Sequence, residues 1–285
     1  MINEKCLLNG IRNFHSSVEG REKFFDMHHP LYIYELLESV KDVNRFREFF
    51  LTQGIENLSE YYLLGDSNRN WKFNILHYYF RVVPIENQSK ELVHYFLSEG
   101  VSIKKKDVSG YSPFHYACAF CDYDMVHFLL QAESQTGDIP IHSSVKRVKS
   151  IINVKNLQTG ETPLHLSMTN KDSRIFNLLL ELGADMDVSH TIRCTNKNMS
   201  RNIGLSEKLS SEVSIDILKI IIYSGYKIVS SEYDVWNVCN IRNCSDEMAD
   251  ILFHECVDYV RRENPNLVKP EFLENFSTFR ERILN

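Results

Sequence analysis

The sequence predicts an all-α solenoid built from repeated helix pairs, and three observations carry that prediction. A short helix start recurs as Thr162-Pro163-Leu164-His165, as Ser112-Pro113-Phe114-His115, and more weakly as Asn74-Ile75-Leu76-His77. Each start is followed by a strongly apolar run: Ile175-Phe176-Asn177-Leu178-Leu179-Leu180, Met125-Val126-His127-Phe128-Leu129-Leu130, and Leu92-Val93-His94-Tyr95-Phe96-Leu97. Glycine then closes two of the runs, at Gly183 and Gly100.

Each position has a physical reason. Threonine or serine ahead of a helix caps its free amide groups. Proline suits the first turn, where its missing N–H is not needed. Glycine after the second helix suits a left-handed C-terminal residue. The second run is apolar nearly all round because such a helix packs against neighbours on both sides. One pair cannot bury that surface, so pairs must stack.

From Thr162 to Gly183, with Gly160-Glu161 before and Ala184-Asp185 after, the pattern resembles an ankyrin repeat. The resemblance is strong over residues 107–188 and weaker over about 29–228. It implies an array of about five repeats, some degenerate. A degenerate copy opens the array at His29-Pro30-Leu31-Tyr32 with Phe46-Arg47-Glu48-Phe49-Phe50 and Gly54, and another closes it over 215–225, from Ile215 to Ser224-Gly225. His77, His115 and His165 lie 38 and 50 residues apart. Against a usual period of about 33, the second interval is about 17 residues too long. The excess is placed at 133–154, which holds the turn signals Thr136-Gly137-Asp138 and Pro140. The expected organisation is a cap segment at 1–28, repeats at 29–230 with that insertion, and a helical C-terminal cap at 231–285.

In the C-terminal segment, 248–260 has helical periodicity, Ser245 is a candidate N-cap and Pro265 a stop. A further helix is expected at 271–284, with Phe272, Leu273, Phe276, Phe279 and Ile283 near one face. These helices read as a cap over the last repeat. The sharper alternative is a docking helix for ubiquitin-ligase machinery, although the proline-led motif of F-box-like ends is not evident.

Composition narrows the function. With 285 residues, 43% hydrophobic and 25% charged, the chain is of ordinary globular make-up. A net charge of −6 gives no basic footprint for nonspecific nucleic-acid binding. The runs Lys104-Lys105-Lys106 and Lys146-Arg147-Val148-Lys149 read as solvated segments. The N-terminal residues have no sustained apolar stretch of the secretory type, and Ile220-Ile221-Ile222 is too short for a bilayer span. Seven scattered cysteines fit a reducing, cytoplasmic setting, which includes a host cytosol for an effector delivered there. The Asn-, Lys- and Ile-rich composition resembles that of proteins from AT-rich genomes, including intracellular bacteria and large viruses. A host-directed role is therefore an expectation.

Catalytic and metal readings are weaker. The resemblance gives His77, His115 and His165 a structural role, tying adjacent repeats through loop backbone. His115, Cys118 and Cys121 offer three candidate metal ligands, but structural zinc usually takes four, and no second cysteine pair is present. Cys239 and Cys244 read as packed or partly exposed thiols. No phosphate loop, His-Glu-x-x-His motif or nucleophile elbow occurs. The expectation is therefore no enzyme, no cofactor and no metal.

The resemblance implies a scaffold that recognises a protein partner through hairpin tips and the exposed side of the first helices. Aligning repeats on the histidine selects Trp71, Phe73 and Arg81, then Tyr111 and Phe120, then Gln158, Glu161 and Asn170. Tryptophan, tyrosine and arginine are enriched at interface hot spots. The competing reading packs Trp71 and Phe73 against the preceding loop, because Lys72 stands where the hairpin glycine is usual. The segment 133–154 is a competing binding site, since loops beside a rigid scaffold carry specificity. A monomer without nucleic-acid or membrane partners is expected. The alternatives are a ubiquitin-ligase substrate adaptor, and an enzyme that uses the repeats for targeting.

Overall fold

In the computed structural model, residues 43–52, 72–135, 141–156, 158–194, 197–203, 213–230 and 244–263 are described, together with isolated positions such as 37, 58–59, 63–64 and 205. The segment 1–28, the motif at 29–32, the turn residues 136–140 and the helix expected at 271–284 lie outside them. The described elements begin with α1 (Val43–Thr52), β1 (Leu63–Leu64) and β2 (Lys72–Phe73). Helices α2 (Ile75–Val82), α3 (Lys90–Ser98), α4 (Pro113–Phe120), α5 (Tyr123–Gln135), α6 (Ile141–Ile152), α7 (Pro163–Ser167) and α8 (Ser173–Glu181) follow. The last elements are β3 (Val188–Cys194), β4 (Lys197–Ile203), α9 (Ile215–Tyr223) and α10 (Asp246–Glu263).

The helical solenoid expected from the sequence is present. First helices α2, α4 and α7 stack in a row, and second helices α3, α5 and α8 pair with them. Within the described residues two short antiparallel hairpins, β1–β2 and β3–β4, accompany the helices. A continuous apolar core runs along the array, from Phe46, Phe50, Phe80 and Phe96 through Phe114 and Val126 to Leu164, Phe176 and Ile217. The rings of Phe46 and Phe96 meet edge-on with centroids 5.2 Å apart, so α1 supplies the packing surface of a preceding second helix to α3. At the far end α10 buries Met248, Ala249, Leu252 and Cys256 and lies against α9. Ser245 Oγ accepts from Met248 N at 3.3 Å, which makes Ser245 the N-cap of α10.

Helix ends follow the sequence logic. Gly183, at φ 86°, takes the left-handed position after α8. Its N–H donates to Leu180 O and that of Ala184 donates to Leu179 O, both at 2.9 Å, which satisfies two carbonyls that would otherwise be orphaned. The same pair of bonds closes α3, from Gly100 to Leu97 O and from Val101 to Phe96 O, both at 3.0 Å.

Helix α6 falls within 133–154, the segment placed between one second helix and the next hairpin. It packs against α5, buries Ile151 and Ile152, and leads into Asn153. Asn153 Oδ1 accepts from Asp185 N at 3.0 Å, so the end of α6 is tied to the exit of α8.

The histidines hold repeat to repeat. At α2, Asn74 Oδ1 accepts from His77 N, and Asn74 N–H donates to His77 Nδ1, both at 3.1 Å. This is a reciprocal capping box in which histidine fills the place usual for Glu or Gln. Because Nδ1 accepts, Nε2 carries the proton, and it donates to Tyr111 O of the next hairpin at 3.1 Å. His115 repeats the arrangement: Ser112 N–H donates to Nδ1 at 3.1 Å, and Nε2–H donates to Glu161 O at 3.2 Å. His165 Nδ1 accepts from Thr162 N–H at 3.3 Å. The expected tie between adjacent repeats is thus visible atom by atom for His77 and His115, and for His165 the local cap is.

Neighbouring hairpin loops are also joined directly. Asn156 Nδ2 donates to Ser109 O at 2.8 Å, while Asn156 Oδ1 accepts from Gln158 N and Thr159 N at 2.7 and 3.1 Å. Gly110 sits against this side chain at φ 85°, where an added Cβ would lie 2.6 Å from Asn156 Oδ1. We predict that Gly110→Ala destabilises the protein by about 1–3 kcal/mol, from the left-handed backbone and the displaced amide together. Urea unfolding of the two proteins measures it; an unchanged midpoint would mean that the loops yield freely.

Burial lowers His77 and His115 from 6.5 to about 4, against hydrogen bonds that pull the other way. The folded chain therefore keeps both rings neutral where the unfolded chain would protonate them. Their stability contribution is complete above the unfolded value of 6.5 and is lost as pH falls from there to about 4. On the order of 3 kcal/mol per ring is at stake across that window. The predicted outcome is a fall in denaturant midpoint from pH 7 to pH 4.5 that is shallower in a His77→Gln/His115→Gln variant, which starts less stable at pH 7. Parallel slopes in the two proteins would remove the histidines as its cause.

Candidate functional site

One surface grouping is built on α2 and α4. Tyr116 follows the repeated histidine by one residue on α4 and is buried. Phe120 lies one turn further along the same helix, and its ring stacks on Tyr116 with centroids 6.3 Å apart and 20° between planes. Arg81, near the end of α2, sets its guanidinium 5.7 Å from the Tyr116 ring centroid. Tyr111 comes in from the hairpin loop, 6.1 Å from Tyr116 and edge-on. Phe120 is 39% exposed and Tyr116 6%, so the first faces water and the second supports it.

A buried carboxylate anchors the group. Tyr116 Oη donates to Asp107 Oδ2 at 2.7 Å, and Tyr111 N–H donates to Asp107 Oδ1 at 2.9 Å. Burial raises the Asp107 carboxyl, and these two bonds and the Arg81 charge work against that rise. Burial and the neighbouring carboxylate push the Tyr116 phenol well up, so it stays protonated as a donor. Tyr111 Oη donates to Glu161 Oε2 in the next repeat, and burial with that carboxylate raises it likewise. The ladder is thus a fixed surface, because each polar end is held inside the array.

The residues selected from sequence fall into distinct places. Arg81, Tyr111 and Phe120 come together around Tyr116, which the sequence reading did not select. Its signal was available: it precedes Phe120 by four residues on one helix. Gln158 is exposed at a hairpin tip, where its Nε2 donates to Val108 O at 2.8 Å. Glu161 is buried beside Tyr111. Asn170 is also buried; its Nδ2 donates to Cys118 O and Cys121 O at 3.0 and 2.9 Å, joining the turn after α7 to the end of α4. Glu161 and Asn170 thus bind other repeats of this chain. Phe73 lies on β2, and Trp71 lies outside the described residues.

Cys118 and Cys121 are both fully buried, and burial raises their thiols. Among the described residues no group of three or more His, Cys, Asp or Glu side chains could hold a metal ion. No described helix is long and apolar enough to cross a membrane.

Comparison with known proteins agrees with this geometry. No curated protein matches the chain. The family model for ankyrin repeats matches residues 83–190 in three copies. That span runs from the end of α2 through the paired helices α4–α5 and α7–α8 into β3. The histidine staples, the glycine-closed second helices and this match agree: residues 83–190 form ankyrin repeats.

Proposed function

We propose that the chain recognises a partner protein on the inner face of the array, centred on Arg81, Tyr111, Tyr116 and Phe120. Ankyrin repeats are in general protein-interaction modules and typically non-catalytic scaffolds, which makes partner binding the starting point. One observation carries the finer reading. An exposed aromatic ring is stacked on a buried one, with a guanidinium beside it and its polar ends pinned to a rigid scaffold. Such a group offers apolar area and a cation at little ordering cost, which is the character of an interface hot spot. Val108, 45% exposed, and Gln158 extend the surface to the hairpin tips.

The test compares wild type with Phe120→Ala and Arg81→Ala. Proteins retained by the wild-type chain are identified, and their affinities for each variant are then measured with purified components. Phe120→Ala should weaken binding by about 2 kcal/mol, about thirtyfold in Kd, with unchanged helical content and little change in melting temperature. If both variants bind as wild type does, while shortening 136–140 abolishes binding in a folded protein, recognition belongs to the segment around α6.

A further inference from the structure

Between α8 and α9 the repeat pattern is interrupted by the hairpin β3–β4, whose strands are seven residues long each. The register places Val188 opposite Ile203, His190 opposite Arg201, Ile192 opposite Met199, and Cys194 opposite Lys197 on one face. Ser189 with Asn202, Thr191 with Ser200, and Arg193 with Asn198 take the other. All four aliphatic or Met positions therefore share a face. The segment 188–203 contains Arg193, Lys197 and Arg201 and no Asp or Glu, in a chain of net charge −6.

Its base is pinned to the array. Tyr226 Oη donates to Asp187 Oδ1 at 2.7 Å and accepts from Leu205 N at 3.3 Å, so one side chain grips the residues flanking both strands. Beyond that base, each strand's principal partner is the other, and no third strand pairs with them among the described residues. A two-stranded hairpin is marginal in water, and its outer edges offer unpaired N–H and C=O groups.

We propose that β4 accepts an extended acidic segment of a partner protein as a third strand. On one face β4 reads Lys197, Met199, Arg201, Ile203, a cation alternating with an apolar residue every second position. The strand that fits carries acidic and apolar residues alternating on one face, so that charges and apolar groups meet across the new ladder. The absence of acidic residues from the hairpin supplies the charge complementarity. A bilayer fits less well, because the apolar positions of β4 are interspersed with cations. This proposal is independent of the inner-face reading, because it uses a different element.

The experiment uses the full chain and a fluorescent peptide with glutamate and valine alternating at every second position and threonine between them. Anisotropy should show saturable binding that weakens as salt rises. Binding should fall about tenfold or more when the alternate amides that would pair with β4 are N-methylated, and again when the glutamates are moved to the threonine positions. These arms need only the wild-type protein. Lys197→Glu/Arg201→Glu should lose binding, and Phe120→Ala should keep it. Equal binding of the N-methylated peptide would overturn strand addition in favour of charge alone. No peptide binding overturns the proposal as well, with two further measurements naming the occupant: association with vesicles containing one-fifth phosphatidylserine would assign the hairpin to membranes, and a sedimenting dimer dissolved by Arg201→Glu would assign it to a second copy.

Discussion

The array depends on two imidazoles, His77 and His115, that are each bonded at both ends. Nδ1 receives an N–H from the residue that starts its own helix, and for His77 and His115 Nε2 gives a proton to a carbonyl of the next hairpin loop. The first bond sets where the helix begins. The second sets how far the next repeat stands from it. A single side chain thus couples local capping to stacking, and stacking is what buries the apolar faces of the second helices. The ring must be neutral and of one tautomer to do both, which is why burial and function as a staple go together.

The same coupling explains why the polar residues of the array divide into two kinds. Asn156, Asn170 and Glu161 sit at repeat boundaries and bind backbone or side chains across them. Arg81 and Phe120 both meet the Tyr116 ring. A side chain in the first group is committed to cohesion. One in the second group presents a face that its support leaves open, and only such a face is available to a partner.

Much of the helical framework was legible in the sequence because it rests on local rules. Ser112-Pro113 and Thr162-Pro163 announce helix starts, Gly183 announces an end, and the spacing of the histidines points to extra chain before His165, where α6 lies. The division of polar residues was not legible, because Glu161 and Asn170 occupy repeat positions equivalent to outward ones. Their burial follows from contacts to Tyr111 and to Cys118 and Cys121, some fifty residues away. Tyr116 was passed over for a related reason: its importance lies in the residues it gathers from two helices and a loop.

The hairpin β3–β4 shows the limit most clearly. Read along the chain, 188–203 is a polar stretch with isolated Val188, Ile192, Met199 and Ile203, too sparse for a helix face and too weak for an obvious strand. Only the pairing register brings those four residues onto one side, because the strand period of two acts on both strands together. An ordinary repeat would bury such residues by stacking on the next first helix. In the hairpin they lie along two paired strands whose flanking residues, Asp187 and Leu205, are joined by Tyr226, and the same register that gathers them also alternates them with Lys197 and Arg201. Cohesion in this chain comes from histidines that face inward between repeats. The hairpin is built by a different rule, a two-residue alternation along two paired strands, and that difference separates it physically from the repeats on either side.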